Sequence, residues 1–177
     1  MNYLLIGKPN VGKSSIYNIL TGFNSNIVHS DVGTTRDWHL EKIKNSSINI
    51  YDTPGVLIND TNKKKILTTS FTKIIKNKID NFLYVIDYND LFNEIDNFAI
   101  TKLRKYNKNI IVIANKFDNY IQSPSLEINK YMIKDVIFLS CIHRYGFDKL
   151  KKKIGLSKFD NYTDNKQNID IFLAILG

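Results

Sequence analysis

Cysteine is nearly absent from this sequence. Cys141 is the only one among 177 residues, so no internal disulfide can form. That is the usage expected of a chain kept in the reducing cytoplasm. Long apolar runs are missing too. None approaches the roughly 18 residues of a membrane span, so no membrane association is expected. The first residues, Met1-Asn2-Tyr3, lack a basic leader region, and neither a long apolar stretch nor a cleavage site follows. A signal peptide is therefore not expected. Histidine is scarce, and His29, His39 and His143 do not have metal-ligand spacing. Arginine is scarce as well: Arg36, Arg104 and Arg144 are the only ones among 25 basic residues, and lysine carries the rest of a net charge of +8. Two sources of that charge stay open. One is a phosphate-rich partner such as RNA. The other is an AT-rich coding sequence, which would also explain the abundance of Asn, Ile, Tyr and Phe. The lysine runs 63–65 and 151–153 carry the same alternatives, a solvated helix face or an RNA contact.

What is present is an alternation of short apolar runs with longer amphipathic ones. Hydrophobic residues make up 43% and charged residues 24%, ordinary for a globular domain. Strands are expected at residues 2–6, 38–44, 47–52, 82–87, 109–114 and 136–140, and helices at 13–21, 65–78, 95–106, 126–132 and 146–154. Residues 24–37 and 54–61 read as loops. This order predicts an α/β fold, a six-stranded mostly parallel sheet with helices on both faces. Ligands of such sheets sit at the carboxyl ends of the strands. The domain is expected over 1–155, with a polar linker at 156–168. Residues 169–177, I-D-I-F-L-A-I-L-G, form another apolar run ending in glycine, as residues 3–7 do. They are expected to open a second, similar domain of a longer chain; an extra edge strand is the alternative.

Gly7-Lys8-Pro9-Asn10-Val11-Gly12-Lys13-Ser14 fits G-x-x-x-x-G-K-[ST] at every fixed position, between an expected strand and an expected helix. The glycines let the backbone turn and aim its N–H groups at phosphate oxygens, and the helix N-terminus adds its dipole. Lys13 is expected on the β- and γ-phosphates, with Ser14 on Mg²⁺ and Ser15 beside it. Asn115-Lys116-Phe117-Asp118 follows the 109–114 strand. A carboxylate at Asp118 can accept from guanine N1–H and its exocyclic amine together, a pair that adenine lacks. Ser140-Cys141-Ile142 follows the next strand, where a backbone N–H, that of Cys141, would meet guanine O6. Asp52-Thr53-Pro54-Gly55 follows the 47–52 strand: Asp52 would hold a Mg²⁺-bound water and Gly55 would touch the γ-phosphate. Thr35, within Gly33-Thr34-Thr35-Arg36-Asp37, is the expected second Mg²⁺ ligand. Both loops would be held by the γ-phosphate and released on hydrolysis. Lys13, Asn10, Thr35 and Gly55 are the expected catalytic positions.

Together these segments resemble the translation-factor-class GTPases of the Era, MnmE and Der group, over nearly the whole chain. The phosphate loop close to Met1, the stretch Ser140 to Gly146 and the apolar run ending at Gly177 are most similar to the first GTPase domain of Der. Asp-Thr-Pro-Gly is more like Era, Gly-Thr-Thr-Arg-Asp more like MnmE, and Cys141 replaces the usual alanine. The resemblance implies the P-loop (Ras-like) GTPase fold and GTP/GDP with Mg²⁺ as ligands. It also implies a role in assembling the large ribosomal subunit, with that subunit and its RNA as partners and further domains packed alongside. Val56 stands where Ras-like switches carry the glutamine that orients the attacking water. Asn10 matches the asparagine that in several relatives helps bind K⁺, so slow, K⁺-stimulated hydrolysis is expected.

Overall fold

Residues 1–22, 39–52, 69–90, 92–119, 121, 133 and 136–156 are described by the computed structural model. Among them, strands and helices follow in the order β1 (Asn2–Gly7), α1 (Lys13–Thr21), β2 (His39–Lys42), β3 (Asn49–Asp52), α2 (Thr69–Lys78), β4 (Asn81–Asp87), α3 (Glu94–Arg104), β5 (Asn109–Asn115), β6 (Val136–Phe138) and α4 (Phe147–Ile154). The strands form one six-stranded sheet, ordered β2-β3-β1-β4-β5-β6. β2 is antiparallel to β3, and every other pairing is parallel. The expected sheet is therefore the one observed.

The central strands are apolar on both faces because both faces are covered. Tyr3, Leu5, Leu83, Val85, Ile111 and Ile113 point to the side where Ile16 and Leu20 of α1 and Leu150 and Ile154 of α4 pack. Their neighbours Leu4, Ile6, Phe82, Tyr84, Val112 and Ala114 point to the other side, against Ile75 of α2 and Ile100 and Leu103 of α3. Each large side chain buried this way stabilises the fold by about 1.5–3 kcal/mol.

Local chemistry sets the element ends. Gly22, at a φ of 73°, closes α1 by donating its N–H to the Asn18 carbonyl. Asn93 caps α3 by accepting from the N–H groups of Ile95 and Asp96, while Asp96 accepts in return from the Asn93 N–H. The Lys108 ammonium closes the last turn of α2, donating to the carbonyls of Ile75 (2.5 Å), Lys76 (3.2 Å) and Ile79. Both strands of the 38–52 hairpin are shorter than expected. Ser46, buried in the turn, donates to the Ile43 carbonyl and accepts from the Ile48 N–H, and Ile43 N–H bonds the Ile48 carbonyl. Those bonds hold residues 43–48 in a turn, helped by Asn45 at a φ of 56°. Leu156, expected in the linker, is buried with Ile154 in the core. The expected loops at 24–37 and 54–61, the helix at 126–132 and the segments 157–168 and 169–177 lie outside the described residues.

Candidate functional site

Five parallel strands bring their carboxyl ends to one edge of the sheet, and the motif residues lie there. Gly7 ends β1 and pairs with Val85; Asp52 ends β3 and pairs with Leu5; Asp87 and Asn115 end β4 and β5 as mutual partners. After Gly7 the chain makes a tight loop whose Asn10 and Gly12 have φ of 62° and 92°. Glycine is required at both glycine positions by proximity. A Cβ on Gly7 would run into the Val85 carbonyl, and one on Gly12 into the Asn115 amide. Gly12 is also the N-cap of α1, with no side-chain cap and no acidic residue in the first turn. The helix thus presents uncapped N–H groups and its positive dipole end at the loop, the arrangement that holds phosphate.

Lys13 is buried, and its ammonium donates to the carbonyls of Gly7 (3.0 Å) and Lys8 (2.6 Å). Burial lowers its pKa, opposed by the charge of Asp52. Ser14 Oγ donates to Asp52 Oδ2 at 3.0 Å, so the two described residues expected at Mg²⁺ share one spot. A hydroxyl and a carboxylate are hard oxygen donors suited to Mg²⁺, which is held by one or two protein oxygens and keeps several waters. Ser15, Pro9 and Asn10 are exposed on the same loop. Thr35, Thr53, Pro54, Gly55 and Val56 lie outside the described residues.

On the other side of the phosphate loop, Asn115 is a tie beam. Its amide donates to the Val11 carbonyl at 2.9 Å, and its Oδ1 accepts the Cys141 thiol at 3.2 Å. One buried side chain thereby joins the phosphate loop to the turn after β6. Burial pushes the Cys141 thiol up to about 11, so the donated proton stays in place at neutral pH. Ser140, fully buried, donates its hydroxyl to Asp118 Oδ1 at 2.6 Å and accepts from the His143 N–H. The turn is closed by reciprocal backbone bonds between Ser140 and Tyr145, each 3.1 Å. Asp118 itself is exposed. Phe117, the variable position of the motif, is fully buried edge-on to Tyr88 and beside Phe138 and Tyr145, which anchors the segment. Ile142 is 77% exposed.

Two features escape sequence reasoning. Lys116, at a φ of 65°, pairs with Asp87 at 2.7 Å. The Lys8 side chain pairs with Asp96 and Asp90 of the α3 region at 2.8 and 3.1 Å. Burial pulls the Lys8 ammonium down, but the hydrogen bonds and charges of Asp96 and Asp90 outweigh it, and its pKa is raised.

The family described as 50S ribosome-binding GTPase matches residues 2–116. GTPase Der of Mycoplasmopsis pulmonis is 34% identical over 178 residues, covering 98% of this chain and 39% of that protein. The tRNA modification GTPase MnmE of Wigglesworthia glossinidia brevipalpis is 41% identical over 153 residues, covering 84% of this chain and 33% of the relative. The chain thus spans well under half the length of these curated relatives. The structure of a single-residue variant of Aquifex aeolicus Era bound to GDP·AlF4⁻ superposes with a TM-score of 0.69 at 24% identity, covering 92% of this chain and 57% of the other. That likeness supports the P-loop GTPase fold. The expected resemblance to Der and its Era and MnmE siblings is borne out.

Proposed function

The chain belongs to the 50S ribosome-binding GTPase family, and from that membership we propose that it is a GTP-binding and GTP-hydrolysing switch domain acting in assembly of the large ribosomal subunit. One observation carries the nucleotide reading. The phosphate loop and the Asn115, Asp118 and Ser140 group sit at one end of the sheet, tied by the Asn115–Val11 bond. Phosphate is bound by the loop N–H groups and Lys13. The purine is read by Asp118, whose carboxylate is held in place by Ser140. Ser14 and Asp52 would hold Mg²⁺, which neutralises charge developing on the phosphates. Thr35 and Gly55 are the expected contributions of the two switch loops.

Val56 has no polar side chain with which to orient a water, so the domain depends on charge stabilisation from elsewhere. Asn10, exposed at the crest of the phosphate loop, is the proposed K⁺ ligand, and K⁺ would supply positive charge as an arginine finger does in other switches. Single-turnover hydrolysis of GTP, with ATP as control, tests the reading in KCl and in NaCl. Faster turnover of GTP in KCl is expected. Binding without turnover in either salt would make the domain a GTP-responsive regulator instead, and equal rates in the two salts would remove the K⁺ site.

The ribosomal role follows the family and the similarity to Der. A second reading, a tRNA-modification module, is favoured by the 41% identity to MnmE. Co-sedimentation of the full-length protein with large ribosomal subunits separates them: nucleotide-dependent binding is expected, and its absence favours the second. The apolar run at 169–177 fits the start of a further domain.

A further inference from the structure

Lys8 occupies two networks at once. Its carbonyl accepts the Lys13 ammonium at 2.6 Å, inside the phosphate loop. Its own ammonium sits 2.8 Å from Asp96 Oδ2, at the N-terminus of α3. Asp96 is completely buried. Its Oδ1 accepts the Tyr84 hydroxyl at 2.9 Å and its Oδ2 accepts the Asn93 N–H at 3.2 Å. A buried carboxylate needs a matching charge, and Lys8 is the cation the structure sets against it. Asp90, the other partner of Lys8, is 60% exposed and screened by water, so it contributes little.

We propose that Lys8 is a positioning residue, whose pair with Asp96 latches the phosphate loop to the start of α3 and so sets the loop geometry for a diphosphate. This inference rests on the GTP-binding reading above. The latch acts on the phosphate side of the site only. The purine side is held separately, by Ser140 on Asp118 and by the Phe117 packing. Breaking the latch should therefore weaken contacts to the β-phosphate more than those to the base. A general loss of folded protein would weaken every guanine nucleotide by one common factor.

The test is the ratio of GDP to GMP affinity in the purified protein, measured by titration against a fluorescent guanine nucleotide. Lys8→Met should lower GDP affinity about tenfold, the scale of coupling through a packed contact, and the ratio should fall. Lys8→Arg, which keeps the charge and reach, should restore most of it, and Asp90→Asn should leave it unchanged. An unchanged ratio in Lys8→Met overturns the proposal, as does Lys8→Arg behaving like Lys8→Met. Should Lys8→Met not fold, Asp96→Asn decides. It keeps an oxygen to accept from Tyr84 and removes the charge, so the ratio must fall there or the latch is refuted. Failure of the unaltered protein to bind GDP would instead overturn the GTP-binding reading itself.

Discussion

Replacing Asn115 isolates the tie between the phosphate loop and the β6 turn. Asn115→Ala removes the amide that donates to the Val11 carbonyl at 2.9 Å. Both residues are almost wholly buried, so no water replaces the lost donor. An unsatisfied buried carbonyl costs about 1–3 kcal/mol. A loss near 2 kcal/mol lowers the melting temperature by about 4–8 °C in a domain of this size. Asn115→Asp is nearly isosteric and more informative. It sets a carboxylate oxygen where the amide nitrogen was, facing the Val11 carbonyl oxygen. Taking up a proton turns that repulsion into an O–H donor, so the native pKa must rise above the usual value of about 3.9. A raised pKa contributes stability that is present below the unfolded value and lost as pH rises through the folded one. Asn115→Asp should therefore match or exceed Asn115→Ala near pH 4 and fall below it at pH 7.5. Urea denaturation of both variants across that range gives the difference directly. Two parallel stability profiles would refute the assigned bond.

Three further outcomes follow from the site. Asp118→Asn should shift preference from GTP to xanthosine triphosphate, read by competition binding; unchanged GTP affinity would remove Asp118 from the base site. Gly12→Ala should abolish nucleotide binding, because its Cβ would strike the Asn115 amide at a φ of 92°; retained binding in a titration would show that the loop has another conformation. Stability should decline above pH 9. Burial raises Cys141 from its ordinary 9.0 to about 11 and Tyr17 from 10.0 to about 12, and also raises Tyr3, Tyr51 and Tyr84. The stability these groups contribute is complete below the unfolded values and lost as pH climbs through the folded ones. Lys13, lowered by burial, opposes them, alone among the described lysines with a shift. Denaturation midpoints that stay level from pH 8 to 11 would contradict this, and Cys141→Ala should remove the earliest part of the decline.

The phosphate loop was legible because its chemistry demands fixed residue types at fixed spacing, and the central strands because a strand covered on both faces reads as a short continuous apolar run. The Asn-Lys-x-Asp segment was legible from its place after β5, but the bond by which Ser140 holds Asp118 was not. The Ser140 hydroxyl reaches that carboxylate only because β5 and β6 are neighbours in the sheet, which spacing along the chain does not state. Lys8 is the plainest case. A lysine inside a phosphate loop looks like a phosphate ligand, yet its charge is matched to a carboxylate far along the sequence, made visible only when β4 and α3 fold onto β1. Asp96 in turn belongs to no motif of the sequence. Its capping box is built on Asn93, outside the usual Ser/Thr-x-x-Glu/Gln pattern, so its burial carried no signal in the sequence. The short strands beside Ser46 failed to match expectation for the same reason: a side chain competed for backbone bonds that periodicity had assigned to the sheet.

The pairing of Leu4 with Phe82 and of Val112 with Val136 has a consequence for the chain during its synthesis. The phosphate loop is made before β4 and β6, but β1 stays an edge strand until β4 exists, and the turn that holds Asp118 waits for β6. Closing such long stretches of chain is costly before any contact rewards it. A ligand that touches both Gly12 and Asp118 therefore favours only the finished sheet and none of its precursors. At a hundredfold excess over its dissociation constant it adds about 2.7 kcal/mol to that one state. The nucleotide would thus serve the newborn chain as a template before it serves the mature domain as a switch.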